Sequence, residues 1–69
     1  MQPILSSMLR SVGYDPKTNT LETEFNNGRV HRYQGVPQET YEGLMSAPSA
    51  GKYMGQVIIG SYPEERIAG

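Results

Sequence analysis

The chain has 69 residues, with six Lys or Arg and seven Asp or Glu, so its formal net charge is −1. A chain of this length forms one domain that buries only about 60% of its unfolded surface, which leaves little room for an enclosed catalytic cleft. It contains no cysteine, and this excludes disulfides and thiolate metal sites. The near-neutral charge argues against a general nucleic-acid coat, which carries a basic footprint.

Residues 8–14 predict the first strand, and a turn follows it. Pro16 pre-sets φ for a turn position, Asp15 can accept hydrogen bonds from its own turn, and Asn19 tolerates a left-handed backbone. Residues 20–25 then place Leu21, Thr23 and Phe25 on one face and the charged Glu22 and Glu24 on the other, which predicts a second strand with two distinct faces.

A hairpin is predicted next, because Asn27-Gly28 lies between two strand-like runs and suits a type I′ turn. That two-residue turn fixes the register of the two strands. It places Phe25 opposite Val30, Glu24 opposite His31, Thr23 opposite Arg32 and Glu22 opposite Tyr33. One face of the hairpin then carries Leu21, Phe25 and Val30. The other face carries Glu22, Glu24, His31 and Tyr33.

Two short helices are predicted after the hairpin. Pro37 suits a first helical position, and the apolar side chains after it recur at helical spacing. Pro48 ends this helix, and Ser49 is a candidate cap for a second one. Residues 53–62 fit either a helix or a strand, because "QVIIGSY" is β-branched and bounded by glycine. The tail "PEERIAG" predicts a frayed end.

These elements predict an α+β fold. It consists of a three-stranded antiparallel meander followed by one or two short helices packed on one face, since a bare meander would be unstable. We expect a single domain over residues 1–69, with an ordered core at 6–63 and frayed ends.

The sequence argues against catalysis and metal binding. His31 is the only histidine and Asp15 the only aspartate, so a metal site would need glutamates and water. General acid–base catalysis needs a positioned acid and base in a cleft, and no glycine-rich phosphate loop is present. We therefore expect no enzyme activity, no cofactor and no metal.

Two stretches carry side chains suited to a ligand. In the run His31, Arg32 and Tyr33, an aromatic ring can stack on a base and a guanidinium can hold phosphate. Lys52 and Tyr53 follow a serine at a possible helix start, where backbone amides bind anions. The plain alternatives are a polar strand face for the first stretch and a capped helix for the second, and the residues alone favour them.

The chain resembles the KTSC domain. The matching residues occur in the family's order and spacing through residues 6–63. They include "VGYD" at 12–15, "GVP" at 35–37, and Tyr62-Pro63 at the end. That small domain occurs at the C-terminus of some lysyl-tRNA synthetases and as stand-alone bacterial and phage proteins. Its function is not established, and RNA binding has been suggested for it. The resemblance covers almost the whole chain and implies a binding domain.

The chain departs from the family pattern in two places. The family carries a Tyr-x-Tyr motif in the third strand, and here His31 replaces the first tyrosine while Tyr33 is the second. Family members often carry several basic residues after the glycine-rich turn, whereas this chain has the apolar run Val57, Ile58 and Ile59. Because lost phosphate contacts weaken binding to a long RNA, the comparison favours a small ligand or another subunit.

We therefore expect a non-catalytic binding module for a nucleotide-like ligand, either a small nucleotide that the protein sequesters or a short RNA element. The expected contacts are His31, Arg32, Tyr33, Lys52, Tyr53 and Arg10. The alternative is a protein-interaction or oligomerisation module that uses Val57, Ile58 and Ile59. Small domains that lack disulfides and structural metals often oligomerise, so we expect a homo-oligomer. We also expect a cytoplasmic protein without a membrane partner, since no secretory leader or membrane-spanning run is visible.

Overall fold

The protein is described by a computed structural model that covers residues 1–4 and 6–69. Five antiparallel strands form one sheet, and each strand pairs with its neighbours in the chain. The strands are β1 (Gln2–Pro3), β2 (Leu9–Asp15), β3 (Thr20–Phe25), β4 (Val30–Tyr33) and β5 (Glu64–Ala68). The helices are α1 (Gln38–Ser46) and α2 (Ala50–Tyr53), and α2 continues into a π-helical segment (Met54–Ile58). The predicted α+β class is confirmed, but the sheet has more than the three strands expected.

The turn between β3 and β4 differs from the predicted one. The Gly28 N–H donates to the Phe25 carbonyl oxygen at 3.0 Å, and the Phe25 N–H donates to the Arg29 carbonyl oxygen at 2.8 Å. Gly28 has a φ of 90°. A longer loop with a glycine bulge therefore replaces the two-residue type I′ turn. The extra residue shifts the register by one position and moves the later side chains to the other face of the sheet.

This shift reverses the predicted faces of β4. The observed pairs are Leu21 with Tyr33, Glu22 with Arg32, Thr23 with His31, and Glu24 with Val30. His31 and Tyr33 consequently share the helix-covered face of the sheet with Leu21, and Arg32 shares the open face with Glu22. The prediction that placed His31 and Tyr33 beside Glu22 and Glu24 is wrong. Val30 likewise leaves the apolar face to which it was assigned.

The core lies between one face of the sheet and the helices. Its buried apolar side chains are Leu9, Val12, Leu21, Tyr33, Val36, Leu44, Ala50, Met54 and Ile58. Tyr14 ties the sheet to the helices at the rim of this core. Its hydroxyl donates to the Val36 carbonyl oxygen at 2.6 Å, and its ring stacks on Tyr41 of α1 with centroids 4.6 Å apart. These contacts fix α1 over β2.

The helical region follows the predicted boundaries closely. α1 begins after Pro37 and ends before Pro48. Ser49 caps α2 as predicted, since its hydroxyl oxygen accepts a hydrogen bond from the Lys52 N–H. The Ile59 N–H donates to the Met54 carbonyl oxygen at 2.7 Å, which closes a wide π-helical turn. The open alternative for this stretch therefore resolves as helix up to Ile58.

Both predicted frayed ends contain a strand. β1 lies at one edge of the sheet and β5 at the other, with Tyr33 paired to Glu64 and His31 paired to Arg66. All five side chains of β5 are exposed, so its sequence lacks the apolar alternation by which strands are recognised. Within the described residues, no helix has the length and apolar character needed to span a membrane.

Candidate ligand-binding groove

Two shallow hollows share Pro48 and Ser49, which connect α1 to α2. The first hollow, of about 440 Å³, is lined by Ser6, Ser7, Pro48, Ser49 and Ala50. The second, of about 300 Å³, is lined by Ala47, Pro48, Ser49, Lys52, Tyr53 and Gln56. Together they form a surface that we call the Ser49 groove.

Serine hydroxyls supply polar groups to this groove. Two of them, on Ser6 and Ser49, are held in place by hydrogen bonds from nearby backbone N–H groups. The Ser6 oxygen accepts hydrogen bonds from the backbone N–H groups of Met8 at 3.1 Å and Leu9 at 3.2 Å. The Ser49 oxygen accepts one from the Lys52 N–H at 3.3 Å. A hydroxyl that accepts through its oxygen still has a proton to donate. Both serines can therefore donate to oxygen atoms of a ligand.

Lys52 and Tyr53 add a charge and an aromatic ring. Lys52 is exposed and forms no ion pair with any described residue. The half-buried ring of Tyr53 lies across α1 at Gly43, where a methyl group would come within 2.3 Å of the tyrosine hydroxyl oxygen. Among the described residues no carboxylate lines the groove, so its local charge is positive.

A separate polar cluster lies on the helix-covered face of the sheet, where β5 meets β4. The Glu64 carboxylate contacts Nδ1 of His31 and accepts a hydrogen bond from the Tyr33 hydroxyl at 3.2 Å. Burial raises the pKa of Tyr33 well above its usual value, and the neighbouring Glu64 carboxylate raises it further. The Thr23 hydroxyl on β3 is buried without a hydrogen-bond partner among the described residues. This cluster attaches β5 to the sheet.

The remaining two residues that were predicted to contact a ligand, Arg32 and Arg10, form ion pairs with carboxylates. Arg32 has Nη2 3.1 Å from a Glu22 carboxylate oxygen and Nη1 3.5 Å from a Glu65 carboxylate oxygen. Arg10 has Nη1 3.7 Å from a Glu24 carboxylate oxygen. A hollow of about 570 Å³ lies beside Arg32, but Glu22 also lines it. The paired guanidinium groups are therefore poorly placed to bind an anion.

The six predicted contact residues thus occupy different parts of the molecule. Lys52 and Tyr53 line the Ser49 groove; His31 and Tyr33 belong to the cluster around Glu64; Arg32 and Arg10 are ion-paired. Sequence reasoning missed Ser6, Ser7 and Gln56 in the groove, and Glu64 in the cluster. About 40 residues separate the two serine stretches of the groove, and only the fold brings them together. The available signal was a serine placed just before each of two predicted elements.

The predicted apolar interface segment divides between core and surface. Ile58 is fully buried, whereas Val57 is 37% exposed and Ile59 39% exposed. Of these three side chains, only the latter two are accessible at the surface.

The fold is a small α+β domain whose meander sheet is covered on one face by short helices. A family model described as the KTSC domain matches residues 5–62, and the chain belongs to this family. The structure is similar to a crystal structure of the KTSC domain protein YPO2434 from Yersinia pestis, with a TM-score of 0.91 and 39% identity. That match covers 96% of this chain and 93% of the other.

Two relatives show different settings of the domain. An uncharacterised protein of Stutzerimonas stutzeri is 48% identical over 53 residues, which are 77% of this chain and 75% of that protein. A lysine–tRNA ligase of Nostoc punctiforme is 36% identical over 62 residues, which are 90% of this chain but only 11% of the ligase. The domain is therefore found both as most of a small protein and as a small part of a large enzyme.

Proposed function

We propose that this chain is a non-catalytic binding module for a nucleotide-like ligand, and that the ligand binds in the Ser49 groove. One observation carries the proposal: Lys52, which forms no ion pair with any described residue, lines the same concave surface as Ser49, and no described carboxylate lines it. Phosphate oxygens match these donors, and an aromatic ring such as Tyr53 suits a nucleobase.

The charge distribution favours a small ligand over a long RNA. A polyanion needs several phosphate contacts, and Arg10 and Arg32 are already paired with carboxylates. A small nucleotide needs only one cation and a few hydroxyl donors. The lysine–tRNA ligase relatives act on a tRNA by name, and this supports a nucleotide-like ligand. We propose that such a module sequesters a small nucleotide or captures a short RNA element.

Calorimetric titration with a panel of nucleoside monophosphates, nucleoside triphosphates and a short single-stranded RNA tests the proposal. We expect binding that weakens as salt rises. Lys52→Ala should lower the affinity about 10- to 150-fold, because one charge-assisted contact contributes roughly 1.5–3 kcal/mol.

Lys17→Ala is the matched control, since Lys17 is an exposed lysine in the turn between β2 and β3. We expect this variant to bind like the wild type. Failure of every probe to bind contradicts the proposed function. Binding that Lys52→Ala leaves undiminished contradicts the placement of the site.

The exposed side chains of Val57 and Ile59 favour a second candidate, a protein-interaction module. An apolar interface of this kind should keep its affinity as salt rises, because hydrophobic burial is not screened. A pull-down of partners at low and high salt, with a Val57→Ser/Ile59→Ser variant as control, separates it from the first.

A further inference from the structure

The two edges of the sheet differ in their capacity to pair with another strand. β1 has only two residues, and one of them is Pro3, which has no backbone N–H to donate. β5 has five residues, contains no proline and is exposed along its whole length. An edge of this kind presents unpaired backbone groups to another chain. β5 is therefore the open edge of the sheet.

The pairing within the sheet shows which backbone groups of β5 are free. The Gln34 N–H donates to the Pro63 carbonyl oxygen at 3.0 Å. Hydrogen-bonded pairs alternate along an antiparallel ladder, so Arg32 and Glu65 form the next hydrogen-bonded pair. The backbone groups of Glu64 and Arg66 then point away from β4, toward solvent.

We propose that β5 pairs with β5 of a second copy of this chain, in an antiparallel two-fold contact centred on Glu65. In this register the outward-facing backbone groups of Glu64 meet those of the partner's Arg66, and the same contact occurs twice by symmetry. The two sheets would then join into one continuous sheet across the dimer.

Side-chain complementarity selects this register over its neighbours. Glu64 lies opposite the partner's Arg66, an opposite-charge pair, and Pro63 lies opposite the partner's Ile67, whose side chain is 38% exposed in the monomer. The two copies of Glu65 meet at the centre, and each carboxylate has Nη1 of Arg32 of its own chain 3.5 Å away, which offsets the repulsion between them. A register centred on Arg66 would instead bring together two arginines that have no ion-pair partner among the described residues of their own chains.

Cysteine cross-linking tests the pairing directly, because the chain has no cysteine of its own. Glu65 would form a non-hydrogen-bonded pair with its copy, with Cα atoms about 4.5 Å apart, and this distance is within the range of a disulfide. Glu65→Cys should therefore form a disulfide-linked dimer on mild oxidation. Lys17→Cys, on an exposed turn away from β5, is the matched control and should cross-link far more slowly.

Light scattering over a dilution series gives a second readout without a cross-link. We expect a concentration-dependent dimer for the wild type and for Arg66→Lys, and about a 10-fold weaker dimer for Arg66→Glu, which places like charges opposite each other twice. Circular dichroism confirms that each variant is folded. The proposal is overturned by a wild type that stays monomeric throughout, by a dimer that Arg66→Glu leaves unchanged, or by equal cross-linking of the two cysteine variants.

Discussion

At the scale of single residues, Gly43 positions an aromatic ring of the groove by leaving space for it. A methyl group at this position would lie 2.3 Å from the Tyr53 hydroxyl oxygen and 2.9 Å from the ring carbon that carries it. Helix propensity alone predicts that Gly→Ala stabilises a helix by roughly 0.5–1 kcal/mol. We expect Gly43→Ala to destabilise the protein by about 1–3 kcal/mol instead, because overpacking moves the rigid ring. Urea denaturation measures the change.

Gly55 provides the matched control for this substitution. It lies in the helical region, has no other atom within 4 Å of a methyl group at its Cα, and does not have a positive φ. Gly55→Ala should therefore be neutral or stabilising by up to about 1 kcal/mol. Equal effects of the two substitutions would show that the Tyr53 ring does not depend on the space at Gly43.

Tyr33 links stability to alkaline pH. Its pKa is raised in the folded protein by burial and by Glu64, so the folded state keeps this proton more tightly than the unfolded chain. The contribution is complete below about pH 10, the usual pKa of tyrosine. Above that pH the unfolded phenol ionises first, and the free energy of unfolding falls by at most about 1.4 kcal/mol per pH unit.

Urea denaturation of the wild type and Tyr33→Phe, compared at neutral and alkaline pH, measures this dependence. The variant should lose much of the alkaline decline. The remainder belongs to groups such as Tyr14, whose pKa is also raised, by desolvation and by Asp15. An alkaline decline as steep in Tyr33→Phe as in the wild type would contradict the assignment.

At the scale of elements, the loop between β3 and β4 decides which side chains face the helices. Gly28 has a φ of 90°, a conformation that costs a residue with a side chain about 1–3 kcal/mol. We expect Gly28→Ala to lower the free energy of unfolding by this amount. Gly28→Asn should lower it less, since asparagine tolerates positive φ, as Asn19 does at 56°. Thermal denaturation of both variants makes the comparison, and equal losses would show that the conformation of residue 28 is not the cause.

The same loop explains how much of the structure was predictable from the sequence. Elements defined by local chemistry were predicted, including the Ser49 cap and the left-handed Asn19. The register was not, because a glycine after asparagine suits both a two-residue turn and a bulged loop, and the two differ by one residue. β5 was missed because its attachment depends on distant partners such as Arg32 and Tyr33. The groove was half predicted, since Lys52 and Tyr53 are local to Ser49 while Ser6 is not.

At the scale of the whole molecule, the two edge strands contribute unequally to stability. β5 forms a ladder with β4 and supplies the Glu64 contacts to His31 and Tyr33, whereas β1 pairs through two residues only. Deletion of residues 64–69 should therefore lower the urea midpoint far more than deletion of residues 1–3. The deletion of β5 removes a hydrogen-bond partner from the hydroxyl of Tyr33, a side chain that is buried in the intact domain, and this carries its own penalty. Equal midpoints for the two deletions would contradict this view of β5.

The order of the strands also has a consequence for how the domain joins other protein segments. Because β1 and β5 are the opposite edges of a five-stranded sheet, segments attached to them enter and leave on different sides. Four inter-strand spacings of about 4.8 Å separate these edges by roughly 19 Å. Inserted between two other domains, this domain would act as a rigid spacer of about that width, and fluorophores placed on β1 and β5 would report it as a fixed distance.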